Sequence, residues 1–255
     1  MQTISLSSIN QTKKHESTSD RYSFIPTTRV IDVLNQSGWF PSRAKQAHVR
    51  DESKEGYQRH IIRFRNEAQN KALIVGAEIP EIVVINSHGG ASSFQIMLGI
   101  YRLVCSNGLT VGNTMSEHRI KHVGYTDNAV QDALIALTQQ APLVLEGIER
   151  FKQLQLDAPE QEAFAKSAIA MKFDGNKYSV DPRAVLMPRR YDDKKDDLWT
   201  TFNRVQENLI RGGVRQRRVD GSRIRSRAVN SIVEDQRINK GLWMLTEEMA
   251  RIKMQ

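Results

Sequence analysis

The chain has 255 residues, of which 39% are hydrophobic, and its 37 lysines and arginines outnumber 29 aspartates and glutamates. No stretch approaches the ~18 consecutive apolar residues of a membrane span, and residues 1–20 lack the apolar centre of a signal peptide. A disulfide within the chain is excluded because there is one cysteine, so composition predicts a cytoplasmic protein. Its formal net charge of +8 predicts an anionic partner.

A short helix and an antiparallel sheet are predicted for residues 21–125, after a flexible polar arm at residues 1–20. Residues 27–37 place apolar side chains at helical spacing, and Gly38 ends this pattern. Further along, the continuous apolar run at residues 79–86 is typical of a central strand.

Two basic strands are predicted between this helix and the central strand, because charged residues alternate with others at residues 43–50 and 59–65. Alternate residues share a face, so their basic side chains would form a flat positive surface. The same pattern is typical of the solvated face of an antiparallel sheet. The candidate contacts here, with one tyrosine from the intervening turn, are Arg43, Lys45, Arg59, Arg63, Arg65 and Tyr57.

A hairpin is predicted at Asn107-Gly108, because both residues tolerate positive φ. It would pair strands at 94–105 and 109–113, although periodicity alone leaves a helix open for 94–104. A further strand is predicted at 117–123.

The second half of the chain, residues 126–255, is predicted to be mostly helical. A helix capped by Asp196 or Asp197 carries apolar residues at helical spacing and ends at Gly212-Gly213. Turn residues without a sustained period predict a loop or linker at 173–195. The other predicted helices are 126–140, 142–155, 159–171 and 229–253. The whole is predicted to be an α+β fold in which the sheet and the helical region form one continuous domain.

Positive charge is concentrated in one segment of this helical region. The run RGGVRQRRVDGSRIRSR has seven arginines and one acid, so it carries +6 of the net charge of +8. Guanidinium groups bind phosphate oxygens in pairs and stack on flat rings, so the segment is a candidate nucleic-acid contact. A solvated loop that attracts any polyanion remains the alternative. We expect a basic loop at 211–228 held between two amphipathic helices, and its candidate residues are Arg211, Arg215, Arg217, Arg218, Arg223, Arg225 and Arg227.

Four segments carry a resemblance to a known family: SDRYSFIPTTRVIDVLNQSGWFPSRAKQAHVRD, RLVCSNGLTVG, NRVQENLIRGG and KGLWMLTEEMA. In this order they resemble the phage/plasmid-like protein family known as domain of unknown function 932. The resemblance implies an origin on a phage, plasmid or integrated element and brings no catalytic residue. The order of helix, basic strands and further helix is also similar to single-strand annealing proteins of the Rad52/Red-beta type, an analogy of pattern alone.

Enzymatic chemistry is not predicted. The chain has no phosphate-binding loop motif and no legible catalytic grouping or set of metal ligands, so we expect neither cofactor nor metal. The favoured function is a nucleic-acid-binding protein that binds or anneals single-stranded DNA through its backbone. The alternative is an interaction protein that binds an acidic host protein. Periodicity leaves open whether the amphipathic helices pack within one subunit or form a homo-oligomer.

Overall fold

The computed structural model describes residues 6–49, 51–70, 77–102, 109–110, 117–120 and 126–255, and it confirms the predicted α+β fold. The chain divides into two compact units, residues 1–142 and 143–255. Within the described residues, no helix is both long and apolar enough to cross a membrane.

An antiparallel sheet of six strands dominates the first unit. Its strands are β1 (Trp39–Gln46), β2 (His60–Asn66), β3 (Glu78–Asn86), β4 (Phe94–Arg102), β5 (Leu109–Thr110) and β6 (Glu117–Ile120). The order is β1-β2-β3-β4-β5, and β6 also pairs with β4, at a different part of that strand from β5. Every residue of β3 from Ile79 to Asn86 is buried, which is why this central strand is a continuous apolar run in the sequence.

The predicted strands around the hairpin are confirmed where the structure describes them. Residues 94–102 form a strand rather than a helix, and β5 pairs with it in antiparallel register at Gly99 and Ile100. The turn predicted at Asn107-Gly108 lies outside the described residues.

The helices of the first unit include α1 (Thr27–Gln36), the short α2 (Glu67–Asn70) and a 3-10 turn at Glu52–Lys54. Val30, Val33 and Leu34 are the buried apolar side chains of α1, and Gly38 follows its end with a φ of 80°. Glycine adopts this left-handed conformation without steric cost, so the chain can turn directly into β1.

The segment that we expected to be a flexible arm is packed over its described part. Ser8, Ile9 and His15 are buried. The Ser8 hydroxyl donates to Oε1 of Gln46 at 2.9 Å, and Nε2 of His15 lies 3.0 Å from the carbonyl oxygen of Ser53. The burial of Ile9 and these hydrogen bonds offset the conformational entropy that the segment loses when it is ordered.

A long helix, α3 (Asp127–Gln153), replaces the two helices that we predicted on either side of Pro142. The prediction of a break was wrong, because proline inside a helix removes one backbone hydrogen bond without necessarily ending the helix. The buried residues Leu137, Ala141 and Ile148 keep their helical spacing across the proline.

The second unit contains the C-terminal part of α3, four further helices and a three-stranded sheet. Its elements are α4 (Ala158–Lys172), β7 (Tyr178–Ser179), α5 (Pro182–Leu186), a 3-10 turn at Tyr191–Lys194, α6 (Leu198–Arg211), β8 (Arg215–Arg218), β9 (Arg223–Arg225) and α7 (Ile232–Lys253). The region at 173–195 that we predicted to be a loop or linker therefore contains a strand and two short helical segments.

Helix α6 is the core of this unit, and every residue from Leu198 to Ile210 is buried. Its start is capped by Asp197, whose side chain accepts from the backbone N–H of Thr200 at 2.7 Å. The apolar side of α6 packs in an aromatic cluster in which Trp199 and Phe202 stack at 5.1 Å and Trp243 of α7 meets both edge-on.

The polar side of α6 is buried as well, so its side chains need partners within the protein. Gln206 donates to Oδ1 of Asn239 at 2.9 Å. Asn208 donates to the carbonyl oxygens of Val185 and Met187, both at 2.9 Å. These hydrogen bonds attach α7 and the chain around α5 to the same helix.

Candidate nucleic-acid interface

The arginine-rich segment begins where α6 ends and forms a β-hairpin, which we call the arginine hairpin (residues 215–225). Strands β8 and β9 pair in antiparallel register, and β7 joins the other edge of β8. The turn is closed by hydrogen bonds from Gly221 N–H to the Arg218 carbonyl and from Arg218 N–H to the Ser222 carbonyl, both 2.9 Å. Gly221 has a φ of 84°, which favours glycine. The segment is therefore an ordered ribbon where we expected a loop.

The root of the arginine hairpin is held by backbone hydrogen bonds. Gly213 N–H donates to the Ser226 carbonyl and Ser226 N–H donates to the Val214 carbonyl, both at 2.8 Å. Val214 and Ser226 are buried. None of these bonds uses an arginine side chain, so folding of the root leaves the guanidinium groups available to a ligand.

Lys172 links α6 to the chain segment that follows β9 through hydrogen bonds. Its ammonium group donates to the carbonyl oxygen of Leu209 and, at 2.8 Å, to that of Arg227. Burial lowers the pKa of Lys172 to about 8, with a smaller opposing effect from Glu234. The group is thus mostly protonated at neutral pH and binds the two carbonyl oxygens as a cation.

One face of the arginine hairpin carries four arginines in two cross-strand pairs, and we call it the four-arginine face. Arg215 lies opposite Arg225, and Arg217 lies opposite Arg223. Directly opposite residues point to the same side of a sheet with Cβ atoms roughly 4.5–5.5 Å apart, where like charges repel. The two pairs are separated by two residues along each strand, which is roughly 6.6 Å.

The charge of this face is not neutralised by the protein. All four arginines are exposed, and none forms an ion pair with any residue in the described ranges. They line a concavity of about 670 Å³ together with Ser179, Asp181, Gln216 and Ile224. Asp181 is the acid among these lining residues, and it is bound by Arg183 at 2.7 Å. The Arg183 guanidinium holds the pKa of Asp181 below its usual value.

The remaining predicted arginines of the segment lie in different surroundings. Arg218 and Arg227 are exposed, and the pairing of β7 with β8 places Arg218 beside Tyr178. Arg211 instead pairs with the buried carboxylate of Glu207 at 3.0 Å, and Arg190 pairs with the same carboxylate at 3.0 Å. Arg211 is therefore occupied by an internal ion pair, unlike the four arginines of the four-arginine face.

The basic residues of β2 are bound within the first unit. Arg63 and Arg65 both pair with Glu81 of β3, at 3.1 and 2.8 Å, and the Glu81 side chain is fully buried. The guanidinium of Arg65 also lies 3.7 Å from the centre of the Tyr101 ring. Because both guanidinium groups already bind this carboxylate, we leave Arg63 and Arg65 out of the proposed surface, and their contact with nucleic acid stays a prediction.

The other candidates of the first unit lie on β1 and just before β2. Arg43 and Lys45 are exposed on one face of β1. Arg59 donates to the carbonyl oxygen of Ala91, and burial lowers its pKa. Tyr57 is half-buried and meets the ring of His15 edge-on at 4.9 Å. The structure thus places Arg43 and Lys45 on one strand face, and a nucleic-acid contact of Arg43, Lys45, Arg59 or Tyr57 stays a prediction.

A buried polar cluster beneath α1 is absent from the sequence predictions. The Thr27 hydroxyl lies 2.9 Å from Nε2 of His60 and 3.2 Å from Nε2 of His88, and it accepts from Nδ2 of Asn86 at 3.0 Å. Burial lowers the pKa of His60 to about 4. All four side chains are fully buried, so we interpret the cluster as structural. In the part of the chain that the structure describes, no group of three His, Cys, Asp or Glu side chains could hold a metal ion.

The sequence does contain a signal for the arginine hairpin. Asp220-Gly221 lies between RQR and RIR, and an Asp-Gly pair flanked by alternating residues is a hairpin pattern. Two other important residues, Glu207 and Lys172, give no such signal, because their partners lie in distant parts of the sequence or on the backbone.

Comparison with known proteins assigns the chain to a family. The model of the family described as Domain of unknown function (DUF932) matches residues 14–243. The proteins UPF0380 protein YafZ and UPF0380 protein YfjQ of Escherichia coli (strain K12) are each 39% identical to this chain over 236 residues, which is 92% of this chain and 85% of each relative. No solved structure matches the chain.

Proposed function

The chain belongs to the family of domain of unknown function 932, and we propose that this member binds single-stranded DNA through the four-arginine face. The observation that carries the proposal is the pair of exposed cross-strand arginine pairs without an acidic partner in the described part of the chain. Such pairs repel one another unless an anion lies between them. Phosphate oxygens fit this position because each guanidinium offers two parallel donors.

Phosphate contacts of this kind do not read sequence. The lining of the concavity contains arginines, a serine, an acid, a glutamine and an isoleucine, and most of its donors are charged. Backbone contacts position a strand, whereas specificity needs side chains that reach base edges. We therefore expect low sequence preference and an affinity that depends strongly on salt.

An acidic host protein is the second candidate partner. Protein interfaces usually gain affinity from a few buried aromatic or aliphatic anchors at their centre. The concavity that the four arginines line contains Ile224 as its apolar residue and no aromatic ring. This composition favours a polyphosphate over a folded acidic partner.

The biological setting is part of the same proposal. We place the protein in the cytoplasm of a bacterial cell, encoded on a phage or plasmid and acting on single strands during recombination or replication. The family resemblance supports the mobile element, and the arginine hairpin supports the polyanion.

A salt titration tests the proposal. Binding of a fluorescent thymidine oligonucleotide is measured by anisotropy at several salt concentrations. If four phosphates are neutralised, log affinity falls with log salt with a slope of about 2.8 for a single strand. The double variant Arg215→Gln/Arg225→Gln should reduce that slope by about 1.4, since it removes two of the four contacts.

A matched control removes the same charge elsewhere. Lys166 and Arg251 are exposed and pair with Glu162 and Glu248 on α4 and α7. Lys166→Gln/Arg251→Gln should leave the slope near that of the wild type. Equal slopes for the hairpin and control variants would remove the four-arginine face from the contact. Duplex DNA, RNA and polyglutamate serve as competitors, and stronger competition by polyglutamate would favour the acidic protein partner.

A further inference from the structure

A second concavity lies beside the tip of the arginine hairpin, and we call it the tip concavity. It has a volume of about 520 Å³ and is lined by Asn176, Lys177, Tyr178, Arg218, Val219 and Asp220. Its volume falls in the range of small-molecule sites, about 300–1,000 Å³. No residue in its lining belongs to the lining of the four-arginine concavity.

The strand register places two lining residues of the tip concavity, Arg218 and Tyr178, on the side of the sheet opposite the four arginines. Arg217 belongs to the four-arginine face, and its neighbour Arg218 points to the other face because side chains alternate along a strand. Tyr178 lies opposite Arg218 and so shares its face. Arg217 and Arg218 are consecutive residues of β8, so the Cα atoms that carry these two side chains are only ~3.8 Å apart. A strand that passes around the hairpin tip can contact both.

The two concavities differ in charge. On the four-arginine face, the acid Asp181 is already bound by Arg183. In the tip concavity, Asp220 stands beside Arg218, and the ammonium group of Lys177 is paired with Asp174 at 3.2 Å. The tip concavity is therefore close to neutral, which suits an uncharged group better than a phosphate.

Its apolar lining suits a flat ring. Tyr178 is half-buried, and Val219 is 80% exposed at the hairpin tip, where a polar turn residue would be expected. Nucleobases stack on aromatic side chains without regard to sequence, and arginine planes stack on bases as well. Asn176 supplies an amide at the same place that can both donate to and accept from a base edge.

We infer that the tip concavity binds one nucleobase of a single strand, between Tyr178 and Val219, while neighbouring phosphates of that strand bind the four-arginine face. This inference rests on the proposed function and adds a base subsite to it. The subsite requires an unpaired base, because a paired base in a duplex has no free face to stack on the tyrosine.

The experiment compares two ligands that differ in bases alone. One is a thymidine oligonucleotide, and the other is an abasic oligonucleotide with the same number of phosphates. Anisotropy should show roughly tenfold tighter binding of the thymidine strand by the wild-type protein, the order of one stacked base. Tyr178→Leu should remove this difference and leave the affinity for the abasic strand unchanged. Tyr178→Phe keeps the ring and should preserve the difference.

The outcomes separate this inference from the proposed function. Equal affinity of the wild-type protein for both strands, with weaker binding of both by Arg215→Gln/Arg225→Gln, would overturn the base subsite and retain the phosphate contact. Failure of both strands to bind in dilute buffer would overturn both proposals. A thymidine preference that persists in a folded Tyr178→Leu protein, with its circular dichroism unchanged, would also overturn the assignment to Tyr178.

Discussion

Gly212 lies against the backbone of Arg227, so closely that a Cβ atom on Gly212 would be 2.5 Å from the Arg227 carbonyl carbon. Gly212 also has a φ of 71°, a conformation that side chains rarely adopt. This contact lies at the end of α6, where the chain that follows β9 returns to this helix. Glycine at this position therefore allows the chain that follows the arginine hairpin to pack closely against the end of α6.

Gly212→Ala should destabilise the protein by about 2–4 kcal/mol, since it combines backbone strain with a clash against backbone atoms. Gly221→Ala is the matched control, because Gly221 has a similar φ of 84° and no atom within 4 Å of its Cβ position. The control should lose about 1 kcal/mol, from conformation alone. Urea unfolding measures both. Similar losses in the two variants would contradict the close approach to Arg227.

Arg211 and Glu207 give a second prediction, on stability rather than binding. Glu207→Gln leaves Arg190 and Arg211 without their shared carboxylate, and we expect a loss of about 3 kcal/mol because Glu207 is buried. Arg211→Gln should lose less, since Arg190 still neutralises the carboxylate. Urea unfolding ranks the two. In the salt titration, Arg211→Gln should keep the wild-type slope of log affinity against log salt. A smaller slope would show that Arg211 contacts DNA.

His60 predicts a pH dependence of stability. Its folded pKa is about 4, below the usual 6.5, because burial disfavours the charged ring. Below pH 6.5 the unfolded chain therefore binds a proton that the folded protein does not, and stability falls as the pH is lowered toward 4. The loss is roughly 3 kcal/mol.

Urea midpoints measured between pH 7 and pH 4 test this prediction for His60. His60→Gln removes the titrating ring, so its stability should vary less with pH over the same range than that of the wild-type protein. Parallel pH profiles for the two proteins would assign the acid sensitivity to other groups.

The helices and strands were predictable where local pattern decides them. Helix α6 follows from its apolar spacing, its Asp197 cap and its Gly212 stop, and β3 follows from its mostly apolar run. The break at Pro142 was wrong because buried residues on both sides keep one helical phase, which outweighs a single missing hydrogen bond.

The candidate site was predictable in its composition and less so in its geometry. The charge run marked the arginines, but their division into a four-arginine face and other positions depends on strand register. The capture of Arg63 and Arg65 by Glu81 joins residues 16 to 18 positions apart through the pairing of β2 with β3. Such distant partnerships are set by register, which single-sequence periodicity does not specify.

Hydrogen bonds among the backbone groups of Gly213, Val214 and Ser226, together with the Ser226 hydroxyl, hold the base of the ribbon. The arginine side chains of the four-arginine face take no part in these bonds. These side chains can therefore be replaced, by natural selection or by design, at small cost to the stability of the hairpin. The ribbon is thus a place where ligand preference can drift while the architecture beneath it stays the same.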